Sequence, residues 1–441
     1  MDSLKKIRKK LAEQTAVEIK DGNNPIRAHV KAWTEYCKLC EEKGLKKMGI
    51  NLSIGNIDAA TFDKETGFES LSDELGIKPD GKIYEKLTDF KKKLDLKYYK
   101  NSPLARYGSY AGILEVREAL AEYLSFWGGI SIDADNIFFS SGGASESARR
   151  VIKAMAFYHK ANKTSSNFLT SVPSYKPIIN LAIAESGMKV KTVECQEKDN
   201  YFFTKDNIGK LVKENKIGVV YIVPIGNPTS TLIEAKQLKE TIEKAYRINP
   251  NIIFLVDLAY ISTIKRKTAQ QMMSGFKKVL NRCVFLTSLS KSHARPGDRL
   301  AGCYTNIDGM ETYIKKATEM GNLSESRPAM LEAIAVLKNV NNKAVVKLAK
   351  LFELRRKAMI KVMKRINKEM GKEIFIGLDE LKSDGGLYVY PRLKNIDSLE
   401  LFIETGILGI GGRFFGENKN SDRVRFAIGT YTIKEIENIK I

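Results

Sequence analysis

A single lysine stands at the end of a short apolar run in the stretch from Val284 to Cys303, VFLTSLSKSHARPGDRLAGC. The run predicts a buried strand that delivers Lys291 to a loop, because Ser, Gly and Pro follow it. Parallel sheets bind ligands at such strand ends, and burial favours the neutral amine of a lysine, which attacks carbonyls. Ser288, Ser290 and Arg299 add hydroxyls and a fork-shaped cation that suit a phosphate. An aldehyde and a phosphate in one ligand indicate pyridoxal phosphate.

Polar residues follow other apolar runs of the chain as well. Asn227 comes directly after YIVPIG, and Asp257 closes IIFLV, with Tyr260 three residues further on. After NIFFSSG, the small residues 143–145 open a helix, and the N–H groups at a helix N-terminus form an anion site. We therefore expect a set of polar side chains at the carboxyl edge of one sheet.

The elements that position these residues are apolar strands alternating with amphipathic helices. This order predicts an α/β fold whose large domain has a mostly parallel sheet, buried on both faces and flanked by helices. Helices are expected over residues 26–44, 205–214 and 234–246, and a long helical region over 330–368. The predicted domains are an N-terminal arm and part of a small domain (1–60), a large cofactor-binding domain (61–325) and a C-terminal small α+β domain (326–441).

Composition narrows the class of protein. The chain has 441 residues, 43% of them hydrophobic and 28% charged, which is ordinary for a globular protein. No apolar run approaches the roughly 18 residues of a membrane span, and the charged N-terminus lacks the apolar stretch of a secretory signal. Five scattered cysteines argue against a disulfide framework, and three histidines offer little for metal chemistry. We expect a cytoplasmic protein without a metal.

The formal net charge of +21 is the one unusual bulk property. It suits either a polyanionic partner or a lysine-rich surface. Because the basic residues are dispersed and mixed with acidic ones, we favour the surface interpretation and expect neither nucleic acid nor membrane as a partner.

Taken together, the Asn-Pro, Asp-x-x-Tyr and Ser-x-x-Lys-x7-Arg elements resemble the fold-type I pyridoxal-phosphate enzymes. The likeness is to the class I/II aminotransferases similar to aspartate aminotransferase, and it runs from about Leu52 to Thr430. It implies an enzyme of amino acid metabolism that transfers an amino group between an L-amino acid and a 2-oxo acid.

The resemblance also implies roles for single residues. Lys291 matches the lysine that forms the Schiff base with the cofactor, and Asp257 matches the partner of the pyridinium nitrogen. Asn227 and Tyr260 match the hydrogen-bond partners of the phenolic oxygen. Tyr175 matches the aromatic residue that stacks on the pyridine ring.

Further implied contacts surround the phosphate and the substrate. The residues matching the phosphate site are Gly143, Ala144, Ser145, Ser288 and Arg299. Tyr107 matches the tyrosine that reaches the phosphate of a neighbouring subunit, which implies a homodimer with shared active sites. Arg423 and Gly55 match the residues that bind the substrate carboxylate, with Asn227 beside them. Arg425, two residues on and on the same face of a strand, is the alternative to Arg423.

Some positions depart from the family pattern. Leu258 follows the aspartate where a polar residue is more usual, Thr229 and Ser230 follow Asn-Pro where Thr-Gly is more common, and His293 and Arg295 come just after the lysine. The reaction therefore stays open between amino transfer and another outcome at the same site, namely elimination, decarboxylation, γ-replacement or oxidation. A non-catalytic regulator is disfavoured, because the cofactor residues are retained. The substrate side chain is not specified, since Arg327 is the only approximate match to a second substrate arginine.

Overall fold

The computed structural model describes residues 2–57, 74–75, 83–99, 107–340 and 342–441. Its α-helices, in chain order, are α1 (Asp2–Lys20), α2 (Pro25–Glu42), α3 (Ile83–Tyr99), α4 (Leu114–Gly128), α5 (Gly143–Ala161), α6 (Lys176–Ala184), α7 (Lys205–Glu214), α8 (Ala235–Ile248), α9 (Arg266–Ser274), α10 (Leu289–Ser292), α11 (Met310–Glu319), α12 (Arg327–Asn339), α13 (Asn342–Glu369), α14 (Ser398–Thr405) and α15 (Ile433–Glu437).

The strands are short at both ends of the chain and longer in the middle. In chain order they are β1 (Ile50–Asn51), β2 (Ile137–Ser140), β3 (Asn167–Val172), β4 (Val190–Glu194), β5 (Ile217–Ile222), β6 (Ile253–Asp257), β7 (Cys283–Ser288), β8 (Ala301–Thr305), β9 (Phe375–Ile376), β10 (Tyr388–Val389), β11 (Arg392–Leu393), β12 (Ile407–Leu408), β13 (Ile410–Gly411) and β14 (Val424–Ala427).

The chain divides into two compact units. The larger unit comprises Ile57–Gly226 and Leu232–Leu351, and the smaller unit comprises Met1–Asn56, Asn227–Thr231 and Phe352–Ile441. This division differs from the expected domain limits of 61–325 and 326–441, because α12 and the start of α13 belong to the larger unit and the short segment 227–231 to the smaller one. A helix that continues through the boundary leaves no loop or change of composition for sequence reasoning to find.

The larger unit is built on a seven-stranded sheet in the order β2-β8-β7-β6-β5-β3-β4. The pairs from β7 to β4 are parallel, whereas β8 runs antiparallel to both of its neighbours, β2 and β7. Every residue of β5, β6 and β7 is buried, as expected for strands covered by helices on both faces. The predicted α/β class with a mostly parallel sheet is confirmed.

The smaller unit combines helices with short strand pairs. Its strands form the parallel pair β1-β12, the antiparallel set β10-β14-β13 and the antiparallel pair β11-β9. α1 and α2 pack on α14 through an apolar cluster that includes Leu11, Tyr36 and Phe402. Tyr36 is fully buried in this cluster, so the helix expected over residues 26–44 packs its aromatic side chain into the core of the smaller unit.

Local sequence explains several helix limits. The side chain of Asn24 accepts hydrogen bonds from the N–H groups of Ile26 and Arg27 at the start of α2, with Pro25 in its first turn. Thr204 and Asn207 form a reciprocal capping box that starts α7 at the predicted residue.

Among the described residues, no helix combines the length and the apolar character that crossing a membrane requires.

Candidate active site

The sheet of the larger unit brings two functional loops to one edge. Ser140, the last residue of β2, and Ser288, the last residue of β7, both lie opposite Ala301 of β8. Since β8 is antiparallel to both strands, their carboxyl ends point the same way. The loop before α5 and the turn that carries Lys291 therefore leave the sheet side by side, as expected from the sequence.

Lys291 lies in α10, a single helical turn directly after β7, and it is half-buried. Ser288 caps this turn: its Oγ accepts a hydrogen bond of 3.2 Å from the N–H of Ser290. A second bond, of 3.0 Å, runs from the N–H of Leu289 to the carbonyl oxygen of Leu300. The backbone around the lysine is thus fixed from both sides.

Gly143 and Arg299 hold each other at the N-terminus of α5. The N–H of Gly143 donates to the carbonyl oxygen of Arg299 at 2.8 Å, and Nη2 of Arg299 donates to the carbonyl oxygen of Gly142 at 3.1 Å. Gly143 has a φ of +75°, and a Cβ built on it would lie 2.4 Å from Nη2 of Arg299. A side chain at this position would be strained and would displace the guanidinium of Arg299.

This arrangement fits a phosphate. As in any helix, the N–H groups of the first turn of α5, which include those of Ala144 and Ser145, have no acceptor within the helix. No side chain caps this N-terminus either. The Arg299 guanidinium is exposed, and its hydrogen bonds go to the carbonyl oxygens of Gly142 and Pro296. A helix N-terminus beside an arginine fork provides both the dipole and the charge that bind a phosphate.

Buried acidic and basic groups stabilise the loop before α5 from behind. Glu325 is 4% exposed and forms an ion pair with the buried Arg150. Its second oxygen, Oε2, accepts a hydrogen bond of 2.6 Å from the N–H of Ser141. The carboxylate of Glu325 thus joins the backbone of this loop to the body of α5.

Asp257 ends β6 next to β7 and is buried, with 8% of its surface exposed. Its Oδ1 accepts a hydrogen bond of 3.0 Å from the N–H of Ala259, and its Oδ2 accepts one of 3.0 Å from the hydroxyl of Tyr221. Burial raises the pKa of this carboxyl, while the two hydrogen bonds act in the opposite direction. Among the described residues no basic side chain forms an ion pair with it, which fits a cationic ligand such as a protonated ring nitrogen.

The three predicted tyrosines of the larger unit lie in different environments. Tyr260 is buried directly before a 3₁₀ turn, and its carbonyl oxygen accepts a hydrogen bond of 2.6 Å from Oγ1 of Thr263. Tyr175 directly precedes α6 and is half-buried against the apolar core. Tyr107 is 79% exposed. The stacking role of Tyr175 and the intersubunit role of Tyr107 stay predictions.

The residues just after Lys291 shape the turn. His293 is fully buried, and its Nδ1 lies 2.8 Å from Oγ of Ser292. Burial lowers the pKa of His293 to about 3, so the imidazole is neutral at physiological pH. Arg295 forms ion pairs with Asp298 at 2.9 Å and Glu332 at 3.1 Å. Leu258, at the other departure from the family pattern, is buried, and its N–H donates to the carbonyl oxygen of Leu286 at 2.9 Å.

In the smaller unit, Arg425 contacts Asn227, one of the predicted substrate residues. Its Nη1 donates to Oδ1 of Asn227 at 3.0 Å, and its Nη2 donates to the carbonyl oxygen of Ser53 at 2.9 Å. The guanidinium lies 4.5 Å from the ring centroid of Tyr388 and 4.8 Å from that of Phe415. Arg425 is 2% exposed, and no acidic residue in the described ranges forms an ion pair with it. A buried cation of this kind fits an anionic ligand.

Arg423 and Gly55 have other contacts. Arg423 is half-buried, and its Nη1 donates to the carbonyl oxygen of Tyr390 at 3.2 Å. Gly55 leaves no room for a side chain, because a Cβ there would lie 2.4 Å from the hydroxyl oxygen of Tyr388. Arg425 contacts the loop around Ser53, and the choice between Arg423 and Arg425 as the residue that binds the substrate carboxylate stays a prediction.

Ser230 occupies the place where glycine is more usual. Its φ is +54°, in the left-handed region. Its Oγ accepts a hydrogen bond of 2.9 Å from the N–H of Tyr388, and its carbonyl oxygen accepts from the N–H groups of Asp384 and Gly385, both at 2.9 Å. These bonds offset the strain that a non-glycine residue carries in this conformation.

The family model of the class I and II aminotransferases matches residues 80–439. The chain belongs to this family. It is therefore an aminotransferase, in a family of pyridoxal-phosphate-dependent enzymes, as the sequence indicated.

Known relatives of this aminotransferase resemble it over most of its length. It is 24% identical over 368 residues to aromatic-amino-acid aminotransferase 2 of Thermococcus litoralis, covering 81% of this chain and 87% of that protein. It is also 24% identical over 371 residues to the aspartate aminotransferase of Pyrococcus abyssi, with the same coverage of 81% and 87%. The crystal structure of an aspartate aminotransferase from Thermotoga maritima superposes with a TM-score of 0.68 at 19% identity, covering 92% of this chain and 94% of that one. The structural likeness confirms the fold.

Sequence reasoning did not single out two groups in this aminotransferase, Tyr221 and the ion pair of Glu325 with Arg150. Tyr221 lies in the apolar run GVVYIVP and looked like any strand residue. The ion pair of Glu325 with Arg150 joins residues far apart in the chain, so no local motif marks it. Arg327, the approximate match to a second substrate arginine, forms an ion pair with Asp95.

Proposed function

We propose that this aminotransferase binds pyridoxal phosphate in its larger unit and transfers the amino group of an L-amino acid to a 2-oxo acid. The observation that carries this proposal is the buried guanidinium of Arg425, which has no acidic partner among the described residues and suits the α-carboxylate common to both substrates. The family to which the chain belongs supports the reaction type.

The proposed cofactor contacts divide into three parts. The loop before α5, with Gly143, Ala144 and Ser145, binds the phosphate together with Arg299 and Ser288. The carboxylate of Asp257 balances the positive charge of the ring nitrogen. Tyr260 donates to the phenolic oxygen, and Tyr175 covers one face of the ring. When bound, pyridoxal phosphate supplies an aldehyde and an electron-withdrawing ring.

Lys291 has two proposed tasks. Its Nζ would hold the cofactor covalently through the aldehyde, and its free amine would take the proton from the substrate Cα. A half-buried position in the turn directly after β7 suits both tasks, because parallel sheets bind ligands at the carboxyl ends of their strands. The hydrogen bonds at the start of α10 fix the position of the backbone that carries the Lys291 side chain.

Arg425 is the proposed carboxylate ligand. Its planar fork matches the two oxygens of a carboxylate, and such a contact fixes the position of the adjacent Cα. Asn227 and Ser53 hold the guanidinium in one orientation through hydrogen bonds of 3.0 and 2.9 Å. Arg423 remains the alternative that the sequence alone favoured.

A homodimer with shared active sites is a further part of the proposal. It is supported by the large exposed area of Tyr107, a residue that the family resemblance assigns to the phosphate of a neighbouring subunit. Light scattering on the purified protein measures the mass of the particle. A mass equal to one chain contradicts a shared site.

The first experiment is the visible absorption spectrum of the purified protein with pyridoxal phosphate. We expect a band from covalently linked cofactor in the wild type and in Lys277→Ala, an exposed lysine that serves as the control, but not in Lys291→Ala. Pooled L-amino acids should bleach the band, and a 2-oxo acid should restore it. Dividing the pool then identifies the amino donor.

The same experiment separates amino transfer from the other reactions of the cofactor. Amino transfer requires the 2-oxo acid for more than one turnover, whereas elimination, decarboxylation or oxidation gives product without it. Continuous product formation in the absence of any oxo acid would contradict the proposed reaction. Absence of the band in the wild type would contradict the proposed cofactor site.

A further inference from the structure

A buried tyrosine lies directly behind the carboxylate of Asp257. Tyr221 belongs to β5, the parallel neighbour of β6, and lies opposite Leu255 in the sheet. Since side chains alternate along a strand, Leu255 and Asp257 lie on the same face of the sheet as Tyr221. The hydroxyl of Tyr221 donates to Oδ2 of Asp257 at 3.0 Å.

The ring of Tyr221 has little freedom to move. It is 1% exposed and stacks on Phe168 of β3, with ring centroids 6.1 Å apart and an interplanar angle of 30°. It belongs to the apolar core of the larger unit, and side chains in close-packed cores are restricted in their movement. The hydroxyl therefore has a fixed position relative to the end of β6.

The hydroxyl can only donate to this carboxylate as long as it keeps its proton. Burial and the negative charge of Asp257 raise the pKa of Tyr221 well above its ordinary value, and Tyr175 and Tyr260 act in the same direction. In return, the hydrogen bond from Tyr221 and that from Ala259 favour the ionised form of Asp257 against the effect of burial. The two bonds hold one carboxylate oxygen each.

We propose that Tyr221 is a positioning residue for amino transfer: its hydroxyl orients the Asp257 carboxylate and stabilises its charge, so that the carboxylate pairs with the ring nitrogen of the cofactor. This inference rests on the proposed cofactor site. The carboxylate is the group that contacts the cofactor, and Tyr221 acts through it.

The test begins with Tyr221→Phe, which removes the hydroxyl and keeps the ring. The control is Tyr304→Phe, another buried tyrosine of the same sheet whose ring stacks on Phe285. Circular dichroism and thermal melting of the apoproteins monitor the fold, and titration with pyridoxal phosphate gives the dissociation constant. Loss of one charge-assisted hydrogen bond corresponds to a rise of roughly 10- to 100-fold in the dissociation constant. We expect Tyr221→Phe to bind the cofactor about 10-fold more weakly, and the control to bind within about twofold of wild type.

A double-mutant cycle with Asp257→Asn separates positioning from packing. If Tyr221 acts through the carboxylate, Asp257→Asn and the double variant should bind the cofactor equally well and show the same visible spectrum. A double variant that binds more weakly than Asp257→Asn would show that the hydroxyl acts by packing, and would overturn the inference. This comparison does not depend on the folding of Tyr221→Phe alone.

The visible spectrum reports the protonation of the ring nitrogen of the cofactor, which a loss of packing alone would not change. In Tyr221→Phe, the bound cofactor should show the spectrum of an unprotonated ring nitrogen over a wider pH range than in the wild type. Unchanged affinity together with an unchanged spectrum would refute the inference. Failure of the wild type to bind the cofactor is a different result, since it removes the proposed cofactor site itself.

Discussion

Replacing Arg425 by lysine tests the assignment of the substrate carboxylate most directly. The change keeps the positive charge but removes the fork that donates to Asn227 and Ser53. A carboxylate bound by two parallel N–H groups then loses at least one charge-assisted hydrogen bond, worth about 1.5–3 kcal/mol. At 1.36 kcal/mol for each factor of ten, kcat/KM should fall roughly 10- to 150-fold.

Arg423→Lys is the matched control. Arg423 lies two residues earlier in the chain, is half-buried, and donates to the carbonyl oxygen of Tyr390 at 3.2 Å. A lysine can keep a single hydrogen bond of that kind, so we expect kcat/KM within about threefold of wild type. Circular dichroism on both variants checks that the smaller unit remains folded.

The assay compares an amino acid with the amine that lacks its carboxylate. Initial rates of amino transfer are measured for both compounds with the best 2-oxo acid acceptor. If Arg425 binds the carboxylate, Arg425→Lys lowers kcat/KM for the amino acid and leaves the slow reaction of the amine unchanged. An equal loss for both compounds would show general damage, and a selective loss in Arg423→Lys would restore the assignment made from the sequence.

Three further predictions concern other parts of the larger unit. Gly143→Ala should weaken binding of pyridoxal phosphate at least 10-fold by equilibrium titration, because the new Cβ would lie 2.4 Å from a guanidinium nitrogen; Gly187→Ala, with a similar φ of +62° and nothing within 4 Å, should bind normally. Glu325→Gln should lower the free energy of unfolding by about 1.5–3 kcal/mol in urea titrations, because it removes one of the two carboxylates paired with the buried Arg150 and leaves only Glu146; a loss below about 0.5 kcal/mol would contradict this. The pKa of His293 is 6.5 in the unfolded chain and about 3 in the folded protein, so its contribution to the free energy of unfolding is intact above pH 6.5 and falls on acidification, by about 2 kcal/mol at pH 5. In His293→Gln, the free energy of unfolding in urea should therefore fall by about 2 kcal/mol less between pH 7 and pH 5 than in the wild type. An unchanged pH dependence would refute the reasoning.

The order of elements and the strand-end residues of the larger unit could be predicted from the sequence. Asp257 ends β6 and Lys291 lies in the turn directly after β7, and an apolar run followed by turn residues marks such a place in a single stretch of chain. The start of α7 was predictable because Thr204 provides a local cap. Predictions succeeded where the signal lies within about ten neighbouring residues.

Contacts that depend on the register between distant segments could not be predicted. Arg423 and Arg425 have the same residue type and lie on the same face, so only the position of Ser53 relative to β14 distinguishes them. The partner of Tyr221 depends on the stagger of β5 against β6. The boundary between the units was equally hidden, because α13 runs through it without a break at Leu351.

The segment from Arg299 to Ala301 has a consequence for how this enzyme tolerates insertions and deletions. The carbonyl oxygen of Arg299 accepts from Gly143, that of Leu300 accepts from Leu289, and Ala301 aligns the two strands that lead to these loops. Adding or removing one residue here would displace both the loop before α5 and the turn that carries Lys291. The amide protons of Gly143 and Leu289 should accordingly exchange with solvent as one cooperative unit, although almost 150 residues separate them along the chain.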